Sequence, residues 1–334
     1  MRPFHELSRA GQLRRLHAVA AETITQYDLD DPTLAYHGFD TNLLYRVTTR
    51  SGARYMLRCA VPGWRSYENL ASEAMWLEAL DRDTDIPVPV IVQSKSGKRV
   101  LQVSDPRIDG TWNTSLMRWV PGRDLGHYLT AANLRLMGEL FAKLHEHGAS
   151  WKPPKGFSDH RFENWLSRGE PNLVADLPRS IPKRSRDIVD RMDRIASDAY
   201  RSMDVRDLRV IHCDLWHDNI KIHRGVLHPL DFEDTIWGYR AHDIAMAMLD
   251  LLEDTDEKRY PHLLSAFRKG YETLMEWPAE PIEPLQIGRL LWTINWVARN
   301  EEEWLGEMID RHVPVFERFE KDGVVTRPAP PGPN

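Results

Sequence analysis

The chain has 334 residues, 42% of them hydrophobic and 28% charged, which is a globular composition and long enough for about two domains. Forty-four basic against 50 acidic residues give a net charge of −6, which argues against a nucleic-acid binder, and no apolar run reaches the ~18 residues of a membrane-spanning helix. Two cysteines, Cys59 and Cys213, are too few for a disulfide framework, and the opening residues lack the apolar core of a secretory signal; the expected compartment is the reducing cytoplasm.

In chain order, residues 5–25 carry Leu13, Leu16, Ala20 and Ile24 at helical spacing. Leu43–Thr49 and Ala53–Cys59 are β-type runs on either side of Arg50-Ser51-Gly52, a hairpin signal. Ser66–Leu80 repeats Leu70, Ala74, Leu77 and Leu80 as a helix does, and Pro87–Val92 and Arg99–Val103 flank a second turn, expected to make a second hairpin. From about residue 122 the pattern turns helical. Thr130 is placed to cap a helix through Leu134, Met137, Phe141 and Leu144 that Gly148 closes; Ile188–Ala199 and Ile287–Val297 mark two more. A β-rich island, Arg209–Phe232, interrupts the helices, with a turn at His223-Arg224-Gly225. The coarse expectation is an α+β fold, with a small mixed N-terminal lobe holding an antiparallel sheet and a larger, mainly helical C-terminal lobe. The lobes are expected at 1–117 and 123–326, a hinge at 118–122, and a disordered proline-rich tail at 327–334.

The island carries the chemistry. Asp214 and Asn219 stand in the D-x-x-x-x-N spacing of a protein-kinase catalytic loop, and Asp231 follows at the end of an apolar strand, before Phe232. In phosphoryl transfer one Asp accepts the proton of the attacking hydroxyl, while an Asn and a second Asp hold Mg²⁺ on the phosphates. A short loop presents base and amide together, and a hairpin returns the second carboxylate.

The runs His212-x-Asp214-Leu-x-x-x-Asn219 and Leu230-Asp231-Phe-x-Asp234, with the later Asp243-Ile-Ala, resemble the aminoglycoside phosphotransferase / choline kinase superfamily. Arg54–Arg58, Pro62-Gly-Trp-Arg65, Ser72-Glu73 and Ile86–Pro89 are similar to that superfamily's small lobe, and Leu116–Gly122 to its hinge, so the resemblance spans roughly residues 30–255. It implies the protein-kinase-like fold and a kinase using ATP and Mg²⁺. It implies Asp214 as catalytic base, Asn219 and Asp231 as metal ligands, and Asp243 as a brace for the catalytic loop. It further implies that Glu73 pairs with the basic residue that clasps the α- and β-phosphates, and that Arg118 and Val120 offer backbone groups to adenine. No lysine precedes Lys95, so the resemblance implies Arg58 in the clasp's place, and Met56, on the same strand face, is expected to lie against adenine. Cys213 stands where the superfamily more commonly has Gly, and the loop His37-Gly38-Phe-Asp-Thr-Asn42 is a thin version of a glycine-rich phosphate cover.

The expected activity is transfer of the γ-phosphoryl group of ATP to a hydroxyl of a small molecule, with homoserine-, hydroxylysine-, choline-, thiamine-, ketosamine- and aminoglycoside-like acceptors all open, and with no nucleic-acid or membrane partner. Two alternatives stand beside it. A protein Ser/Thr kinase of the stress-response type is opposed by the lack of an Asp-Phe-Gly to Ala-Pro-Glu segment; a nucleotide-binding pseudokinase is opposed by the intact base and metal positions. His212 reads as a structural histidine. Met246, Met248, Leu249 and Leu252 read as core. Trp292 and Trp296, one helical turn apart, are expected in the core rather than walling a pocket.

Overall fold

A computed structural model describes residues 2–166 and 169–329. The chain divides into two compact units: Met1–Gly122 with Lys152–Ser158 and Lys221–Asp234, and Arg123–Trp151 with Asp159–Ile220 and Thr235–Asn334.

The first unit begins with α1 (Arg9–Ile24), capped by the Ser8 hydroxyl, which accepts the Gly11 N–H. Strands β1 (Thr33–Phe39), β2 (Asn42–Thr48) and β3 (Arg54–Ala60) follow as an antiparallel meander, then α2 (Tyr67–Asp83). Ser66 and Asn69 form a reciprocal capping box that starts α2, a device that contributes about 1 kcal/mol. Strands β4 (Ile91–Val92), β5 (Val100–Ser104) and β6 (Thr111–Arg118) complete the sheet, in the order β1-β2-β3-β6-β4 with β5 also on β6.

The second expected hairpin does not form as such. The turn at Ser94–Gly97 is present, but β4 and β5 each pair with β6 instead of with each other, Ile91 opposite Met117 and Val100 opposite Ser115. The eight-residue β6 has one edge on β3, and its other edge is long enough to take both short strands in succession. The segment read as a glycine-rich loop is mostly strand. His37–Phe39 belong to β1, Asn42 opens β2, and only Asp40 and Thr41 turn, with a register break between Tyr36 and Gly38.

Alternation along the strands sorts the two faces of the sheet. Leu43, Tyr45, Val47, Leu57 and Cys59 join Leu16, Val19, Ala20 and Ile24 of α1 in one apolar core. Met56, Arg58 and Ala60 therefore point to the opposite face, where Ala60 packs with Leu70 of α2 and Val100. That alternation is what turns a charged side chain, Arg58, inward.

The second unit opens with β7 (Arg123–Asp124) and α3 (Ala131–Ser150), whose Thr130 cap accepts the Asn133 N–H as expected. Gly148 does not end α3, which runs on to Ser150; the position needs a glycine because a Cβ there would fall 2.0 Å from the Val210 carbonyl oxygen. Next come α4 (Lys183–Arg201) and β8 (Arg209–Ile211). The hairpin β9 (Ile220–His223) and β10 (Val226–Pro229) belongs to the first unit from Lys221 onward. The chain re-enters the second unit with β11 (Ile236–Gly238), antiparallel to β8, and finishes with α5 (Arg240–Asp254), α6 (Tyr260–Tyr271), α7 (Glu283–Asn300) and α8 (Leu305–Asp322). The apolar stripe of α5, Met246, Met248, Leu249 and Leu252, is buried, as are Ile287, Leu291, Ile294 and Val297 of α7.

Helices α3 and α6 cross at backbone contact through two glycines. A Cβ at Gly138 would lie 2.0 Å from the Phe267 carbonyl oxygen, and one at Gly270 would lie 1.9 Å from that of Arg135. Gly138→Ala must push the helices apart, so we expect a loss of about 1–3 kcal/mol or more in denaturant unfolding. An unchanged midpoint would show that the crossing gives way freely.

Trp292 and Trp296 are not the core residues their spacing suggests. Trp292 is only half-buried and Trp296 is 37% exposed; Trp292 instead donates its indole N–H to Glu170 and lies under Arg289. Of the tail read as disordered, Pro328 is buried and the Ala329 carbonyl accepts from Arg311 Nε at 2.8 Å; residues 330–334 lie outside the described residues. Among the described residues no helix is long and apolar enough to cross a membrane.

Candidate active site

In the first unit the β3 face brings Arg58 against α2. Its Nη1 donates to Glu73 Oε1 at 3.0 Å and its Nη2 to Glu73 Oε2, a bidentate pair between two side chains that are both almost wholly buried. The predicted partnership of Arg58 with Glu73 is thus formed. The hairpin then delivers Asp231-Phe-Glu-Asp234, and each of the four residues has its own anchor. Asp231 Oδ1 is 3.6 Å from Arg58 Nη1, with 43% of its side chain exposed. Phe232 is buried edge-on against Trp76 of α2, ring centroids 5.5 Å apart. Glu233 is buried and accepts the Asn42 Nδ2–H at 2.7 Å and the Trp64 indole N–H at 2.8 Å. Asp234 accepts from Arg65 Nη2 at 2.6 Å.

Burial works against the charge of Arg58, but Glu73, Glu233 and Asp231 outweigh it and raise its pKa above the usual arginine value. Glu233 went unnoticed in the sequence. Its only signal there was a second acid directly after Asp231-Phe232, and its partners Asn42 and Trp64 are some 170 to 190 positions away.

Met56 shares the Arg58 face and is half-buried, paired in register with Met117 of β6. The Arg118 N–H is already given to the Val90 carbonyl at 2.9 Å, so any adenine contact from Arg118 must use another group. Val120 is half-buried two residues further on.

In the second unit Asp214 and Asn219 meet within one short loop. Asn219 Nδ2 donates to the Asp214 carbonyl at 2.8 Å and to its Oδ2 at 3.2 Å. Because the amide nitrogen faces Asp214, the Asn219 side-chain oxygen points away from that carboxylate. The loop is held from α5. Asp243 Oδ1 accepts the Cys213 N–H at 2.7 Å, and Oδ2 accepts the His212 N–H at 3.4 Å, the bracing that the resemblance implies. Cys213 has φ +71°, in the left-handed region, which is the physical reason a glycine suits this position. Asp231 is also left-handed, at φ +58°.

Behind the brace, His145 lies 3.1 Å from Asp243 Oδ2 through Nε2 and 3.0 Å from the Tyr271 hydroxyl through Nδ1. Burial keeps His145 below its ordinary value; the neutral ring then donates at Nε2 to Asp243 and accepts the Tyr271 O–H at Nδ1. Burial alone would raise the Asp243 carboxyl, but the His145 hydrogen bond keeps it below its usual value and ionised. His212 is fully buried, and its Nδ1 accepts the Asp214 N–H at 3.4 Å, the structural role read for it.

An acid the sequence did not single out, Asp250 of α5, is pushed up to about 7 from an ordinary 3.8. Burial is the main cause; Arg289 opposes it, and Asp214, Glu253 and Asp254 add to it. A carboxyl raised on folding contributes stability that is whole below its unfolded pKa and lost as pH rises through its folded one. The Asp250 contribution is therefore lost between about pH 4 and pH 8, and the melting temperature of Asp250→Asn relative to the wild type is expected to rise across that window. A difference between the two proteins that stays flat with pH would show that Asp250 carries no such contribution.

A family model described as "Phosphotransferase enzyme family" matches residues 36–280. The chain belongs to the phosphotransferase enzyme family. It is an enzyme, and its motifs' resemblance and its family membership agree. Among solved structures, a microcompartment-associated aminopropanol kinase superposes with a TM-score of 0.76 at 21% identity, covering 91% of this chain and 98% of that one. The amicoumacin kinase hAmiN, solved with AMP-PNP, Ca2+ and Ami, gives 0.76 at 18% identity, covering 97% and 98%. A choline/ethanolamine kinase family protein from Mesorhizobium loti gives 0.57 at 17% identity, covering 91% and 96%. At these identities the likeness carries the fold, so this phosphotransferase has the kinase-like α+β fold expected of it. A search of curated proteins returned no match to its sequence.

Proposed function

We propose that this phosphotransferase uses ATP and Mg²⁺ to phosphorylate a hydroxyl group on a small molecule. The observation that carries the reading is the Asp214–Asn219 loop: a half-buried carboxylate and an amide hydrogen-bonded together, with the loop backbone held by Asp243. In this reading Asp214 receives the acceptor's proton at its carboxylate and orients the attacking oxygen. Asn219 and Asp231 hold Mg²⁺. Arg58, kept in place by Glu73, presents its charge to the α- and β-phosphates, Met56 lies against adenine, and the backbone at Arg118 and Val120 meets its edge.

An amide oxygen and a carboxylate, as Asn219 and Asp231 would offer, are the hard oxygen donors that Mg²⁺ takes. Among the described residues no group of three or more His, Cys, Asp or Glu side chains is built to hold an ion alone. Mg²⁺ commonly takes just such a sparse oxygen set, one or two protein ligands completed by phosphates and water. Bound there, it would neutralise charge on the phosphates as the group transfers. Nucleotide use is supported by the complexes of two structural neighbours, with AMP-PNP in one and with ADP in a spectinomycin phosphotransferase. Aminopropanol, Ami, spectinomycin and choline in the neighbours' names support a small acceptor, and leave its identity to experiment.

The test is ADP release from Mg-ATP across a panel of hydroxylated and amino metabolites, with Asp214→Asn as the blank. One acceptor that lifts turnover well above the blank supports the reading and names the substrate class. Phosphorylation of proteins in a lysate with a flat small-molecule panel would replace it with the protein-kinase reading. Absence of Mg-ATP binding would overturn it.

A further inference from the structure

We propose that Glu233 is a positioning residue that keeps Arg58 from neutralising Asp231, so that the Asp231 carboxylate stays available to the metal. The inference rests on the reading of Asp231 as a Mg²⁺ ligand. Arg58 has two N–H groups on Nη1. One is taken by Glu73 Oε1, and two carboxylate oxygens, Asp231 Oδ1 and Glu233 Oε2, lie at the same ion-pair distance from that nitrogen, each 3.6 Å from Nη1.

The two competitors are not equal. The Glu233 side chain is 5% exposed and that of Asp231 43%, and a charge attracts more strongly where water is excluded. Glu233 is also held at both oxygens, Oε1 by Trp64 and Oε2 by Asn42. The neutral donors Trp64 and Asn42 hold the carboxylate without cancelling its charge. Without that charge, Arg58 Nη1 has Asp231 as its remaining acceptor, and an Arg58–Asp231 ion pair competes directly with a divalent cation for the same oxygens. Groups that orient a metal ligand without touching the metal typically change affinity about 10–100-fold.

A buried carboxylate accepting from two donors also has a structural role, and a pair of variants separates the two. Glu233→Gln removes the charge, and its single amide oxygen satisfies only one of Trp64 and Asn42. Combining it with Asn42→Asp swaps donor and acceptor: the introduced glutamine gives its amide N–H to the introduced aspartate while its oxygen keeps Trp64. Both hydrogen bonds are replaced, and the negative charge moves from residue 233 to residue 42.

The measurement is calorimetric titration of Mg²⁺ into protein with saturating AMP-PNP, alongside thermal unfolding. Glu233→Gln is expected to weaken Mg²⁺ binding about tenfold. The double variant is expected to regain melting temperature over Glu233→Gln while its Mg²⁺ affinity stays low. Recovery of affinity together with stability would make Glu233 merely structural, and unchanged affinity in a folded Glu233→Gln protein would overturn the proposal while leaving the proposed function intact. Wild-type protein that binds no Mg²⁺ with AMP-PNP would overturn both.

Discussion

Asp214→Asn is expected to lower turnover about a hundred- to ten-thousand-fold, the usual contribution of a positioned general base, while nucleotide binding stays close to wild type. The substitution is nearly isosteric. The Asp214 main-chain carbonyl, which accepts the shorter of the two Asn219 hydrogen bonds, is untouched, and so is the Asp243 brace on the Cys213 and His212 amides. What is lost is the basic carboxylate that, in the proposed reading, would take the acceptor's proton. Turnover from the best acceptor of the panel, with AMP-PNP affinity measured in parallel, checks the expectation. Wild-type turnover in the variant would remove Asp214 from the chemistry.

The second large effect is on stability, and it is asymmetric. Arg58 faces Glu73, Glu233 and Asp231, whereas Glu73 has Arg58 as its partner and Arg58 has the other two acids in reserve. Breaking a buried pair from the side that leaves uncompensated charge costs about 3–5 kcal/mol. Arg58→Met leaves the Glu73, Glu233 and Asp231 carboxylates with no guanidinium and belongs in that range. Glu73→Gln keeps a hydrogen-bond acceptor for Arg58 and leaves its charge balanced by the other two acids, so it is expected to cost clearly less. Denaturant unfolding of the two variants gives the comparison. Equal losses would mean that the two 3.6 Å contacts contribute nothing to holding Arg58.

Much of the molecule was legible from local signals. The Ser66 cap and the Leu70–Leu80 stripe define α2, the Arg50–Gly52 turn joins β2 to β3, and Thr130 starts α3, because caps, turns and periodicity act within a few residues of chain. The Arg58–Glu73 pair and the Asp214–Asn219 bond were also within reach, since each joins residues 15 or fewer positions apart. What failed depended on long-range fit. Gly148 has the look of a helix terminator, and only the approach of the Val210 carbonyl shows why a glycine is needed within α3. Residues 87–103 read as a hairpin because the turn between them is real, while pairing went to a strand whose free edge could take both. Trp292 and Trp296 follow a core spacing and yet remain near the surface, because spacing fixes which residues share a helix face and not what covers that face.

The sequence by itself determined the kinds of element, their order, and the residue types that phosphoryl transfer needs, because hydrophobic period, capping chemistry and motif spacing are written locally. Tertiary structure alone decided that Glu233 would be a buried carboxylate facing Arg58, and that the Cys213 and Asp231 backbones would be left-handed. The reason is physical. A charge is tolerated in the interior only where distant segments supply its donors, and a strained backbone persists only where its surroundings hold it. Neither condition can be met, or read, within a single stretch of chain.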